Sequence, residues 1–344
     1  MQTAIQNIRD FFDRKTQHLV SVHHDPNYRQ IADERRMLER ACETIRMDMD
    51  APASDNVLPA FYPDFGTVST AAIYGGRRIP ARDGGGIHIE PAARAAEDLL
   101  RLKPLPFEET DFQRALDLHC QVCDRLGTRD IFLRTPDFQG PLNTLGLLIA
   151  DQAELMVAMF EQPEVVHEAA RRVTDTLIDY AARFRAEAGP GRVIGNIWPY
   201  VALVDGKGVG ITQDYMPLLG PEQYAEFELP QLKRISDAFG GVFIHCCGVY
   251  GQHLRALAGS GVDIIGLECV NALTPVSSLY ETFGDRIFIV FNGGTPEHPT
   301  LGAFLRSLKG QPHANARFWF QLCHESQWDD PEDVRRALAE LAEP

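Results

Sequence analysis

The chain has 344 residues, enough for one large domain or two ordinary ones, and its 44% hydrophobic and 24% charged residues are those of a globular protein with a sizeable core. A formal net charge of -15 argues against a nucleic-acid partner, because no basic surplus exists to displace counterions from phosphates, and against an anionic membrane surface. With no stretch approaching a membrane span, the protein reads as cytoplasmic, and its seven cysteines, an odd number at irregular spacing, read as reduced thiols.

Residues 1–55 read as an N-terminal helical extension. MQTAIQNIRDFFDRK is amphipathic and lacks an apolar signal core, and RQIADERRMLERACETIRMDMD carries apolar positions at helical spacing. A loop rich in Pro, Asp and Gly follows, through FYPDFGTVSTAAIYGGRRIPARDGGG. From about residue 107 a rhythm sets in, with amphipathic helical patterns alternating with the short apolar runs DIFLRT, RVIGNIW, GVFIHCC, VDIIGLEC, RIFIVFNGG and ARFWFQLC. Such alternation indicates βαβ units and a parallel sheet buried on both faces. Residues 56–344 are accordingly read as one catalytic domain, an α/β TIM-type (β/α)8 barrel. Polar and metal-binding residue types recur at nearly all the strand ends, where the loops of such a barrel build its active site. An open doubly wound sheet would gather its site at one switch point, and the chain has no glycine-rich phosphate fingerprint to support one.

The strand ends carry His245 and Cys247, then Glu268 and Cys269, then Asn292, then Cys323 and His324. Side chains alternate along a strand, so His245 and Cys247 point one way and Cys246 the other, as a packing residue. Cys323, from a distant strand end, would complete a set of one imidazole and two thiolates. That set suits zinc, with a fourth position left for water, substrate or a weak carboxylate ligand. Glu268 is the candidate for that fourth group, or else for a partner that orients His245. A lone His or Cys near a strand end is more often a core residue; the convergence of three ligand types on one rim is what favours a metal. Cys269 reads as a buried thiol. His119, Cys120 and Cys123 in HCQVC mimic a metal motif, but the two cysteines fall in register with the apolar face of a helix and read as core.

At this point the sequence resembles a known family. LLGPEQYAEFELPQLKRISDAFGGVFIHCCG is similar to the region before the metal ligands in the uroporphyrinogen decarboxylase superfamily. It looks most like the corrinoid-dependent methyltransferase branch, with its P-E-x-[YF]-x-x-F-x-x-P helix followed by H-x-C-G. FQGPLNTLGLLIADQAELMVAMFEQPEVVHEA and FNGGTPE resemble further family turns, and Cys323 falls where that branch has its distant cysteine. The resemblance implies a TIM barrel, zinc held by His245, Cys247 and Cys323, and methyl transfer between a small methylated substrate or thiol and a corrinoid protein. Cobalamin would be that partner's cofactor, since the chain has no D-x-H-x-x-G corrinoid motif.

The alternatives on the same barrel are a metal-independent decarboxylase or lyase and a non-catalytic zinc-binding protein. The arginine-rich R-Q-A-G-R-Y signature of the decarboxylases, suited to pairing a substrate's carboxylates, is absent. Tyr62, Asp64, Asn196, Trp198, Tyr215 and Asn292 are expected in the substrate pocket, against a plainer reading of most of them as loop caps and packing residues. Asp214, in a segment expected to cross the barrel mouth, would orient substrate or donate a proton.

Overall fold

The apolar runs form parallel strands: β1 (His18–His23), β2 (Ala60–Phe61), β3 (Phe132–Thr135), β4 (Val193–Asn196), β5 (Val209–Thr212), β6 (Val242–His245), β7 (Ile264–Val270), β8 (Phe288–Asn292) and β9 (Arg317–Cys323). The structure is a computed structural model that describes residues 1–25, 33–80, 87–196, 200–270, 273–292, 297–326 and 330–342. One arc of the sheet runs β1-β9-β8-β7-β6-β5 and a second runs β2-β3-β4. Hydrogen bonds link the two arcs on either side. The Gly140 N–H donates to the Thr212 carbonyl at 2.8 Å and the Thr212 N–H to the Phe138 carbonyl at 2.9 Å. At the other seam, Asn56 Nδ2 donates to the Val20 carbonyl at 2.8 Å. The result is a TIM-type α/β barrel with the strands in chain order around it.

The expected helical extension needs one correction. Residues 18–23 are not helical: they form β1, which pairs with β9 along its whole length from His18 opposite Phe318 to His23 opposite Cys323. HLVSVH alternates too briefly to announce itself, and it becomes a strand because β9 offers it a complete set of backbone partners. Helices α1 (Gln2–Phe12) and α2 (Glu34–Asp50) flank it.

The two ends of the barrel differ in chemistry. At the end where the strands begin, Phe11 of α1 packs edge-on against Phe288 and Trp319, with ring centroids 5.5 Å apart in each pair, and Phe243 stacks on Phe288 at 5.4 Å. Aromatic rings of this size each contribute roughly 1.5–3 kcal/mol of burial, so this end is a sealed core. Gly266 is required there, because a Cβ would lie 2.8 Å from the Phe288 ring and 2.9 Å from Phe243. Arg317, the first residue of β9, is buried at this end as well, its guanidinium 4.6 Å from the Phe11 ring centre and donating to the Phe11 carbonyl.

Around the sheet, α3 (Asp111–Leu126) and α4 (Pro163–Ala188) bury one apolar stripe each. In α4, Val166, Ala170, Val173, Leu177, Ala181 and Phe184 recur every three or four residues behind a proline in its first turn. Before α5 (Leu229–Phe239) the chain makes a π turn over Tyr224–Glu228. Pro230 has no N–H to give that turn, so the helix widens there. Gly240, left-handed at φ 72, then ends α5 and turns the chain into β6. Among the described residues, no helix is long and apolar enough to cross a membrane.

A candidate metal centre at the barrel mouth

Strand β6 delivers His245 as its last residue, and Cys247 follows two residues on. The neighbouring strand β5 ends at Thr212, and the Gln213 N–H donates to the His245 carbonyl at 2.8 Å, holding the two strand ends level. Asp214 then reaches across: its Oδ1 accepts the Cys247 N–H at 2.7 Å and lies 3.9 Å from His245 Nε2. Cys247 Sγ is 3.2 Å from the same Nε2. The ligand-capable atoms of Asp214, His245 and Cys247 all lie within 4.8 Å of one another.

Behind this trio stands Glu268 of β7, fully buried, with its carboxylate hydrogen-bonded to His245 Nδ1. The Tyr250 hydroxyl donates to the Glu268 carbonyl at 2.6 Å and steadies that stretch of strand. Burial works to lower the His245 pKa, but the Glu268 charge, the hydrogen bonds to Cys247 and Glu268, and the Asp214 charge outweigh it, and the value stands well above that of an ordinary histidine. Because Nδ1 is committed to a carboxylate, Nε2 is the nitrogen turned toward Cys247 and Asp214, an arrangement found behind metal-binding histidines. The donors are one imidazole, one cysteine sulfur and one carboxyl group around a common point, and they fit a zinc-like cation.

Of the two roles open to Glu268, the geometry matches the orienting one. Cys323 ends β9, but among the described residues it does not join the cluster of Asp214, His245 and Cys247. Its Sγ donates to Glu325 Oε2 at 2.9 Å, and burial foremost pushes the thiol up to about 12. Cys246 is buried as expected, its thiol pushed up to about 12 by burial. Cys269 is buried too, donating to the Thr274 carbonyl at 2.8 Å. In HCQVC, His119 Nε2 lies 3.0 Å from the Ile131 carbonyl and Cys123 is buried, but Cys120 is exposed: it sits one helical step off the apolar stripe.

The expected pocket residues divide. Tyr62 is buried, edge-on to Tyr200 at 5.1 Å, with the Arg134 guanidinium 4.8 Å from its ring centre. With His23, Trp319 and Gln321 these line a narrow cleft inside the barrel between β1 and β2. Asn196 ends β4, and its carbonyl accepts from Arg134 Nη1 at 3.0 Å. Asp64 Oδ1 caps its own loop by accepting the Gly66 N–H at 2.8 Å. Tyr215 is a packing residue: its ring lies against Gly146, and its N–H donates to Asn143 Oδ1 at 2.8 Å. Asn292 ends β8 with its side chain outside the described residues, as is all of Trp198.

Asp137 was not anticipated. It follows β3 at the same rim, is buried, and accepts a hydrogen bond from Gln139 Nε2. Burial, reinforced by the Asp64 and Asp214 charges and opposed by Gln139 and His245, raises its pKa to about 7. The signal was an acid directly behind an apolar strand, in FLRTPDFQG. Gln139 continues the chain of contacts, its Oε1 accepting from Asn143 Nδ2 at 2.7 Å, and Asn143 in turn holds the backbone beside Asp214.

Comparison with known proteins bears on this geometry. In fold, the chain is similar to a methyltransferase from Methanosarcina mazei: the TM-score is 0.60 at 16% identity, covering 94% of this chain and 92% of that one. In sequence, 113 residues are 34% identical to a uroporphyrinogen decarboxylase from Myxococcus xanthus (strain DK1622), a match that takes in 32% of this chain and only 28% of that relative's length. Residues 68–290, well over half of the chain, match the family described as Uroporphyrinogen decarboxylase (URO-D), and the chain belongs to that family.

Proposed function

We propose that this chain is a zinc-dependent methyltransferase that moves a methyl group between a small methylated substrate or thiol and a corrinoid carried by a partner protein. The observation that carries the reading is the pairing of His245 Nε2 with Cys247 Sγ at the barrel mouth while Glu268 occupies Nδ1. A decarboxylase has no need of a thiol set against an oriented imidazole. The similarity in fold to a methyltransferase supports the same reading.

Zinc bound there would act as a Lewis acid, keeping a thiol as its nucleophilic thiolate or polarising the heteroatom that carries the methyl group. The protein's own contribution is positional. His245 and Cys247 would hold the ion, and Cys323 would supply a second thiolate once its side chain leaves Glu325. Glu268 fixes the imidazole by its Nδ1 and favours the ring's orientation toward the ion. The exposed Cys247 side faces the solution from which a partner would dock.

The test is elemental analysis of the purified protein beside Cys247→Ser and Cys323→Ser, followed by methyl transfer from methylcobalamin to 2-mercaptoethanol. About one zinc per chain, lost in both variants, with thiol methylation in the wild type alone, is the expected result. A wild type that takes up no zinc under reducing conditions overturns the reading.

A further inference from the structure

We infer that the narrow cleft between β1 and β2 receives a carboxylate of the substrate, with Arg134 as its counter-ion. The substrate is then a short thiol or methylated compound that carries an acid. The inference rests on the methyl-transfer reading above and adds to it the class of molecule that is methylated or demethylated.

Three observations lead to it. First, the cleft holds a cation and no anion. Arg134 is 2% exposed and lines the cleft with His23, Tyr62, Tyr200, Trp319 and Gln321, and among the described residues none that lines it is Asp or Glu. Acidic residues outnumber Lys and Arg 48 to 33 in this chain, so their exclusion is not a matter of supply. The guanidinium donates to backbone carbonyls instead, from Nη1 to Asn196 at 3.0 Å and Val201 at 2.9 Å and from Nη2 to Tyr200 at 2.7 Å. Carbonyls satisfy hydrogen bonds but bring no net charge, and a buried cation is costly until an anion pairs with it. Second, donors are left over. Of the five N–H groups of a guanidinium three are used, and the Arg134 Nε–H is buried without a partner. Gln321 Nε2 is likewise buried and unpartnered. Third, the cleft lies beneath the rim. Trp319, Gln321 and Cys323 alternate along β9 and share one face of it, and the register sets Ser21 beside Gln321 and His23 beside Cys323. Gln321 is thus one strand repeat, about 6–7 Å, below Cys323.

The chemistry accounts for both ends of such a substrate. The carboxylate pairs with Arg134 through the Nε–H and the remaining Nη2 hydrogen, a planar fork that matches its two oxygens, and takes a further hydrogen bond from Gln321 Nε2. The fork is set in advance, because three carbonyls and the Tyr62 ring, 4.8 Å from the guanidinium carbon, hold it in place. Anchored there, a short carbon chain rises along the inner face of β9 and brings its sulfur, or the heteroatom that carries the methyl group, toward the rim. An amine in place of the acid would meet Arg134 as a like charge. The cleft is narrow, so it selects one flat acid on a short chain over a bulky or branched polyacid.

Calorimetric titration of the chelator-stripped protein tests the cleft apart from the metal, whose presence elemental analysis decides separately. The probes are 3-(methylthio)propionate and 3-(methylthio)propanamide, which differ in charge and hardly in shape. Wild type should bind the acid roughly 10–100-fold more tightly than the amide, the range that charge-assisted hydrogen bonds supply. Arg134→Gln should lose that preference. Because Arg134 also holds three carbonyls, the decisive variant is Gln321→Glu, which sets a carboxylate in the cleft with little change of shape. It should bring the acid down to the affinity of the amide or below it, with thermal unfolding followed by circular dichroism close to that of wild type. Equal affinity of wild type for acid and amide, binding of neither, or an acid preference that survives in either variant overturns the assignment and leaves the zinc site standing. An acid preference in a protein that takes up no zinc keeps the pocket and removes the methyl-transfer reading.

Discussion

Replacing Asp137 by Asn should stabilise the protein in a strongly pH-dependent way. The Asp137 carboxyl is 3% exposed and its pKa is raised from 3.8 to about 7, chiefly by burial. The folded state therefore binds this proton more tightly than the unfolded chain. Below 3.8 the group is protonated in both states and contributes no penalty; between 3.8 and 7 the penalty grows; above 7 it is constant. At about 1.4 kcal/mol per pKa unit, the full cost of holding the charge in place is about 4 kcal/mol. Asn keeps an oxygen to accept the Gln139 amide and never ionises, so it removes the cost while preserving the hydrogen bond. Urea denaturation of wild type and variant from pH 5 to pH 8.5 should show the variant's advantage growing by about 3 kcal/mol across the range, at an unchanged denaturant slope. An advantage that is flat with pH, or a variant less stable than wild type at pH 8.5, would refute the reasoning. The first outcome would mean that Asp137 is not the titrating group, the second that its charge is compensated in the fold.

Glu268→Gln should weaken zinc binding about 10–100-fold in a chelator competition, since the amide orients His245 without its charge; unchanged affinity would remove the orienting role. Phe184→Ala should cost about 3–5 kcal/mol in urea denaturation, because the ring is fully buried in the α4 stripe and edge-on to Phe112 at 5.6 Å. A loss below about 1 kcal/mol would mean the helix is not packed as described. Under brief treatment of the chelator-stripped protein with iodoacetamide, Cys120 and Cys247 should be modified first and Cys246 and Cys269 last, as read by peptide mass mapping. Early modification of Cys246 would contradict its place in the core.

Much of the architecture was legible because the strands of a barrel are buried on both faces. VFIH, IIGLECV and RFWFQLC are accordingly mostly apolar, and local composition therefore reports them. The alternation that put His245 and Cys247 on one side and Cys246 on the other is equally local, a matter of the two-residue strand period. β1 was not legible: HLVSVH is too short and mixed to declare its state, and its partner lies about 300 residues away. The same limit governs the site. Residue types at strand ends suggested a metal, but a ligand set is a matter of distances between strands, which composition does not contain. Only the packed barrel sets Glu268 behind the imidazole, turns the Cys323 thiol to Glu325, and brings Asp214 across from β5 to the Cys247 amide. Asp137 shows the point most plainly: its place behind an apolar strand is visible in the sequence, but its burial is not. Enclosure by the surrounding barrel makes its proton hard to remove, and that enclosure belongs to the fold as a whole.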